Sequence, residues 1–189
     1  MSEIELIAAI LGLIAVALTV RQNPLCWPIG LVMVTLYAWL FYEWRLYANV
    51  LLQGVFASLQ LYGWWLWTRG ADHLAGNRPV SSLSTSKQFV GLLAGALMAV
   101  LLGFVMSRYT DASAPWLDAT LTAFSLVAQL WMAQKRLQCW WLWIVVDVAY
   151  VAFFLVSALW LTAVLYAAFT LLAVQGWWTW RRELATMRT

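Results

Sequence analysis

The chain has 189 residues, 65% hydrophobic and only 10% charged, with a formal net charge of +3. Soluble domains carry about 25% charged residues, so this balance excludes a soluble enzyme and describes an all-α integral membrane protein. The positive charge calls for no nucleic-acid partner, because loop topology accounts for it.

Seven apolar segments follow one another: Ile4–Val20, Cys26–Phe41, Leu46–Trp67, Phe89–Met106, Trp116–Met132, Trp140–Ser157 and Leu159–Trp180. Each is roughly the 17–25 residues that an α-helix needs to cross a bilayer. The first reads as a retained helix and not a signal peptide. Glu3 and Glu5 precede it, and no small-residue cleavage site follows "VRQNP". Cys26 and Cys139 stand at the starts of the second and sixth segments and read as small apolar residues, with no disulfide framework and no metal pattern. Between the third and fourth segments "TRGADHLAGNRPVSSLSTSK" reads as a cytoplasmic linker. Its His73 is the one histidine of the chain, neither ligand nor catalyst.

With seven crossings, Arg45 and Arg108 fall on one side and the other nine basic residues on the opposite side. The positive-inside rule places the N-terminus outside and the C-terminus in the cytoplasm.

"GWWLWTR" at Gly63–Arg69 returns as "GWWTWRR" at Gly176–Arg182, 113 residues later. At that offset, 14 of the 44 positions in Cys26–Arg69 match Cys139–Arg182 without a gap. The chain therefore divides into a first three-helix repeat (1–67), a linker with a linking helix (68–115), a second three-helix repeat (116–182) and a cytoplasmic tail (183–189). One linking helix lets two three-helix units run in the same sense, a 3+1+3 parallel-repeat plan found in transporters, with substrate held between the repeats. The tryptophans of the repeated phrase read as interfacial anchors at two equivalent helix ends.

Function is sought where the copies differ. Val34 in the second segment becomes Asp147 in the sixth. A carboxylate at the centre of a membrane helix costs about 2.5–3.5 kcal/mol on insertion scales, so it should face a cavity or a partner. Trp140 and Trp143 precede it at i−7 and i−4 on the same face, and two aromatic rings beside a carboxylate suit a flat cation. Polar stripes run along three other helices: Asn49, Gln53 and Gln60 in the third, Thr162 and Tyr166 in the seventh, and Thr122, Ser125 and Gln129 (after Asp118) in the fifth. Such groups also join helices to one another. No basic residue lies deep in any segment, which argues against a phosphorylated or carboxylated ligand.

"RLYANVLLQGVFASLQLYGWWLW" and the stretch from "WWLWIVVD" to "GWWTWRR" resemble the Pnu vitamin transporters, and the resemblance covers about Ile4 to Arg182. It implies seven helices arranged as in a full-length SWEET protein, a homotrimer, and facilitated diffusion of a vitamin precursor that cytoplasmic phosphorylation traps. The riboside transporters of the family carry Trp-x-x-Trp-x-x-x-Asn on the sixth helix. That motif falls on Trp140, Trp143 and Asp147, and the family's third-helix glutamine falls on Gln53. Asp147 departs from the Asn. A carboxylate only accepts hydrogen bonds and prefers a cation bearing an amino group. Thiamine is therefore the first expectation and nicotinamide riboside the alternative.

An integral-membrane enzyme is a second class, but the chain has no Gly-x-x-x-x-Gly-Lys loop and no His-Glu-x-x-His pair. No cofactor is expected. A non-transporting scaffold is a third class, and it would have no use for Asp147 and the stripes. Uptake into liposomes separates the three.

Overall fold

A computed structural model describes residues 3–69, 79–110 and 114–187 of the chain. His73, Arg78, Arg188 and the first part of the polar linker lie outside the described residues. Among the described residues seven helices form: α1 (Glu3–Val20), α2 (Cys26–Glu43), α3 (Tyr47–Arg69), α4 (Thr85–Tyr109), α5 (Pro115–Ala133), α6 (Cys139–Val156) and α7 (Trp160–Thr186). Every apolar segment of the sequence becomes one of them. The main differences in length are at α4 and α7. Helix α4 starts four residues earlier than its apolar run, where Ser84 is extended (ψ 152°) and Gln88 N–H reaches the Ser84 carbonyl. Helix α7 runs past Trp180, because its polar continuation Arg181–Thr186 keeps helical hydrogen bonding after the apolar run has ended.

Five of the helices are long and apolar enough to cross a membrane: α1, α2, α4, α6 and α7, with mean hydropathy from 1.3 to 2.5. Helices α3 and α5 have the length but not the apolarity. The polar stripes read from the sequence, Asn49, Gln53 and Gln60 on one and Thr122, Ser125 and Gln129 on the other, dilute them. Composition alone thus supports five of the seven expected spans.

The four tight turns α1–α2, α2–α3, α5–α6 and α6–α7 share one design. Gln22, Arg45, Lys135 and Ala158 take left-handed φ of 54°, 58°, 50° and 56°. At each, the left-handed residue's N–H bonds back three residues and the next N–H bonds back five, as in Lys135 N to Met132 O and Arg136 N to Trp131 O (both 2.9 Å). This double bond satisfies the last carbonyls of the preceding helix and reverses the chain. None of the four is glycine, so each carries a left-handed cost of roughly 1–2 kcal/mol.

Helix α1 packs on α2 and α7, α3 on α2 and α5, and α6 on α5 and α7, while α4 lies along α5. The α4–α5 contact runs over small residues: Gly91, Gly95 and Gly103 face Trp131, Phe124 and Trp116. Between the linker and the α5–α6 turn, Ser81 N–H bonds to the Lys135 carbonyl (3.0 Å) and Leu137 N–H to the Ser81 carbonyl (2.9 Å). Leu83 N–H reaches Gln138 Oε1 (3.0 Å), and the side chains of Val80 and Leu83 in this strap are buried.

The main apolar cluster gathers at this end, around Trp27, Trp67, Trp131, Cys139, Trp140 and Trp180. Trp27 stands edge-on to Trp67 at 5.2 Å and 83°, and Trp140 edge-on to Trp180 at 5.2 Å and 85°. Not all tryptophans of the repeated phrase are interfacial anchors. Trp64, Trp65 and Trp178 are exposed as an anchor should be, but Trp67 and Trp180 are interior. Their indole N–H groups have backbone carbonyls to bond, which makes burial affordable.

Candidate functional site

Helix α6 turns Trp140, Trp143 and Asp147 to one side, since i, i+3 and i+7 share a face. The three meet different surroundings. Asp147 is 5% exposed, an acid enclosed in a helix otherwise apolar along its length. Trp143 is half-buried, and its indole Nε1 is buried without a hydrogen-bond partner among the described residues. Trp140 is fully enclosed, with its ring against Gly176 of α7 so closely that a Cβ there would stand 2.5 Å away. Trp140 is thus as enclosed as Asp147 in this structure. Its ring fills the space that a missing side chain at Gly176 provides, as Trp27 does at Gly63. Trp141 points elsewhere, 55% exposed and edge-on to Trp177, as its rotation of about 100° from Trp140 requires.

The stripes separate into interior and half-interior groups. Ser125 and Gln129 of α5 are buried and Thr122 is half-buried. Gln60 is buried, its amide end beside Gly30 of α2. Asn49 and Gln53 are half-buried on α3, as are Thr162 and Tyr166 on α7. Helix α3 packs on α5, and α6 packs on α5 and α7, but α3 and α6 do not pack on each other. The α3 stripe and Asp147 thus belong to elements that meet through α5.

Two further features were not anticipated. Tyr150, one turn beyond Asp147, lies with its ring 4.7 Å from that of Tyr166, and Phe154 and Phe169 complete an aromatic group around Tyr166. The matched pair Tyr37 and Tyr150 was the available signal. Lys135 is fully buried although the sequence places it in a basic turn. Its Nζ donates to Gln22 Oε1 (3.0 Å) and sits 4.5 Å from the centre of the Trp67 ring. Two surface hollows lie at the helix ends, about 470 Å³ beside Trp39, Tyr42 and Arg45 and about 340 Å³ beside Trp177, Trp178 and Arg181. No stripe residue, nor Asp147, lines either.

The sequence model of the family described as "Nicotinamide mononucleotide transporter" matches residues 2–182. The chain belongs to this family. Within the nicotinamide mononucleotide transporter family, it is 26% identical to the nicotinamide riboside transporter PnuC of Escherichia coli, with 95% of this chain and 85% of that protein covered. It is 27% identical to the riboflavin/roseoflavin transporter RibM of Streptomyces davaonensis, with 92% and 84% covered. Its fold is similar to the crystal structure of the vitamin B3 transporter PnuC, with a TM-score of 0.76 at 22% identity over 95% of this chain and 81% of that one.

Proposed function

We propose that this protein is a transporter, not an enzyme, and that it carries a flat organic cation of the nicotinamide riboside type across the bacterial inner membrane by facilitated diffusion. The observation that carries the reading is Asp147, an enclosed carboxylate on the face of α6 that also bears Trp143. Nicotinamide riboside brings a permanently charged ring to that carboxylate and a flat face to the indole. Thiamine, the first expectation from Asp147, has no counterpart among the named relatives, and the riboside satisfies the same carboxylate. Riboflavin, the ligand in RibM's name, is uncharged and can offer an enclosed carboxylate hydrogen bonds but no charge attraction.

The remaining architecture belongs to the same reading. Helices α1–α3 and α5–α7 are two parallel repeats joined by α4, with all seven helices in the membrane and Asn49, Gln53, Thr122, Ser125, Gln129, Thr162 and Tyr166 facing the path between them. In this reading the C-terminus is cytoplasmic, as the distribution of basic residues favours, and three copies associate. Support for the repeats comes from features 113 residues apart that share a geometry: Gln22 and Lys135, Arg45 and Ala158, Trp27–Trp67 and Trp140–Trp180.

The test is uptake of labelled nicotinamide riboside into liposomes holding only this protein, with no nucleotide and no proton gradient. Saturable entry that stops at equal concentrations is expected. No entry above empty liposomes, or entry only with an imposed proton gradient, would overturn it.

A further inference from the structure

The turn residues Gln22 and Lys135 stand 113 positions apart, in left-handed conformation at the ends of α1 and α5. Their side chains meet across the bundle, Lys135 Nζ donating to Gln22 Oε1 at 3.0 Å. The amide of Gln22 then donates through Nε2 to the carboxylate of Glu183 near the end of α7. The Lys135 ammonium lies 4.5 Å from the centre of the Trp67 ring on α3. One chain of polar contacts thus ties α1, α3, α5 and α7 together at a single end of the bundle.

A fully buried lysine is costly unless it is paired and hydrogen-bonded. A position at which any solvated residue would make the turn is instead occupied by one that draws two halves of the molecule together. Two indole bonds cross the same seam: Trp67 Nε1 to Ala133 O (2.9 Å) and Trp180 Nε1 to Val20 O (3.3 Å). They join α3 to α5 and α7 to α1, the two places where the halves touch. Charge topology makes this end cytoplasmic. Just inside it, Cys26 and Cys139 are buried among the tryptophans.

We infer that Glu183, Gln22, Lys135 and Trp67 form a polar latch that holds the cytoplasmic gate shut in this structure, and that release toward the cytoplasm requires it to break. The inference rests on the transport reading for its purpose, but the latch itself is read from contacts. A latch of hydrogen bonds and one cation–π contact suits a gate, because water can replace each bond when the halves part.

The native cysteines report the opening. The full-length protein in liposomes is labelled with a maleimide, and mass spectrometry follows Cys26 and Cys139 in wild type, Lys135→Met and Gln22→Ala. Each variant should label about tenfold faster than wild type at an unchanged unfolding temperature, a shift of about 1.4 kcal/mol in the closed–open balance. Equal rates in wild type and either folded variant overturn the latch, as does acceleration only in proportion to lost thermal stability. Where Lys135→Met does not fold, Gln22→Ala alone decides. Faster labelling in a protein that carries no riboside sinks the substrate reading and leaves the latch standing. Riboside transport with unchanged labelling does the reverse.

Discussion

Trp67 gives its indole N–H to the carbonyl of Ala133, 2.9 Å away, and so fastens the end of α3 to the end of α5. Displaced by 113 residues, Trp180 makes the same bond to Val20, longer at 3.3 Å. Trp67→Phe keeps an aromatic ring and removes the donor, leaving a buried carbonyl short of a partner. A loss of about 1–2 kcal/mol is expected, with a smaller loss for Trp180→Phe because its bond is longer. Thermal unfolding in detergent measures both, and a larger loss at Trp180 would reverse the ranking.

Glycine at 63 and 176 makes room for an indole. A Cβ would stand 2.2 Å from the Trp27 ring at Gly63 and 2.5 Å from the Trp140 ring at Gly176, whereas at Gly54 it meets nothing within 4 Å. Gly63→Ala and Gly176→Ala should each destabilise by about 1–3 kcal/mol through overpacking. Gly54→Ala should stabilise by up to ~1 kcal/mol, because alanine is the better helix former. Unfolding of the three variants side by side checks the opposite signs.

Ala158 is an exposed residue at φ 56°, a conformation in which only glycine is at ease. Ala158→Gly removes that strain and should raise stability by about 0.5–1 kcal/mol, net of the entropy glycine adds to the unfolded chain. A drop in unfolding temperature would mean that the turn does not hold this conformation in the membrane.

The aromatic side of α6 should split three ways. Trp143→Ala is expected to weaken nicotinamide riboside binding about thirtyfold, the equivalent of about 2 kcal/mol from a desolvated cation–π contact, with little loss of stability. Trp140→Ala should instead cost stability, about 3 kcal/mol or more, because its ring fills the space over Gly176. Trp141→Ala should change neither. Calorimetry paired with thermal unfolding separates the three, and equal affinity losses at all of them would mean the face is misassigned.

Asp147→Asn tests charge at constant size. The wild type should favour the cationic riboside over neutral riboflavin, and the variant should narrow that preference about tenfold, or about 1.4 kcal/mol. Riboside binding should persist, since an asparagine amide can pair with the nicotinamide carboxamide. An unchanged ratio of the two affinities would make Asp147 a structural acid and remove the main support for a cationic substrate.

Helix positions were legible because apolar runs of membrane length are a strong, local signal. The 113-residue offset was legible because Gly63, Trp64, Trp65 and Trp67 recur without a gap as Gly176, Trp177, Trp178 and Trp180. What the phrase does was harder to read. Trp67 gives its N–H to the Ala133 carbonyl in the interior, and a partner 66 residues away leaves no local trace. Lys135 beside Arg136 reads as a solvated basic turn until Gln22 and Trp67 are seen around it. Asp147 stood out in sequence since a lone carboxylate in an apolar run is conspicuous, but the enclosure of Trp140 depends on α7 and was not visible from α6 alone.

The strap formed by Val80–Leu83 has a consequence for how the molecule is made. Its hydrogen-bonding partners, Lys135, Leu137 and Gln138, lie about 55 residues further along the chain. At about 5–20 residues per second the ribosome delivers them roughly 3–10 s after the strap itself. During that interval Val80 and Leu83 have no α5–α6 turn to cover, and the backbone of Ser81 has nothing to pair with. Only a nascent chain made through α4, α5 and the turn as far as Gln138 can lay the strap down. Its docking therefore certifies that α5 and the turn after it have arrived in register, and a chain stalled before Gln138 would present an unpaired edge and two bare apolar side chains to the quality-control machinery.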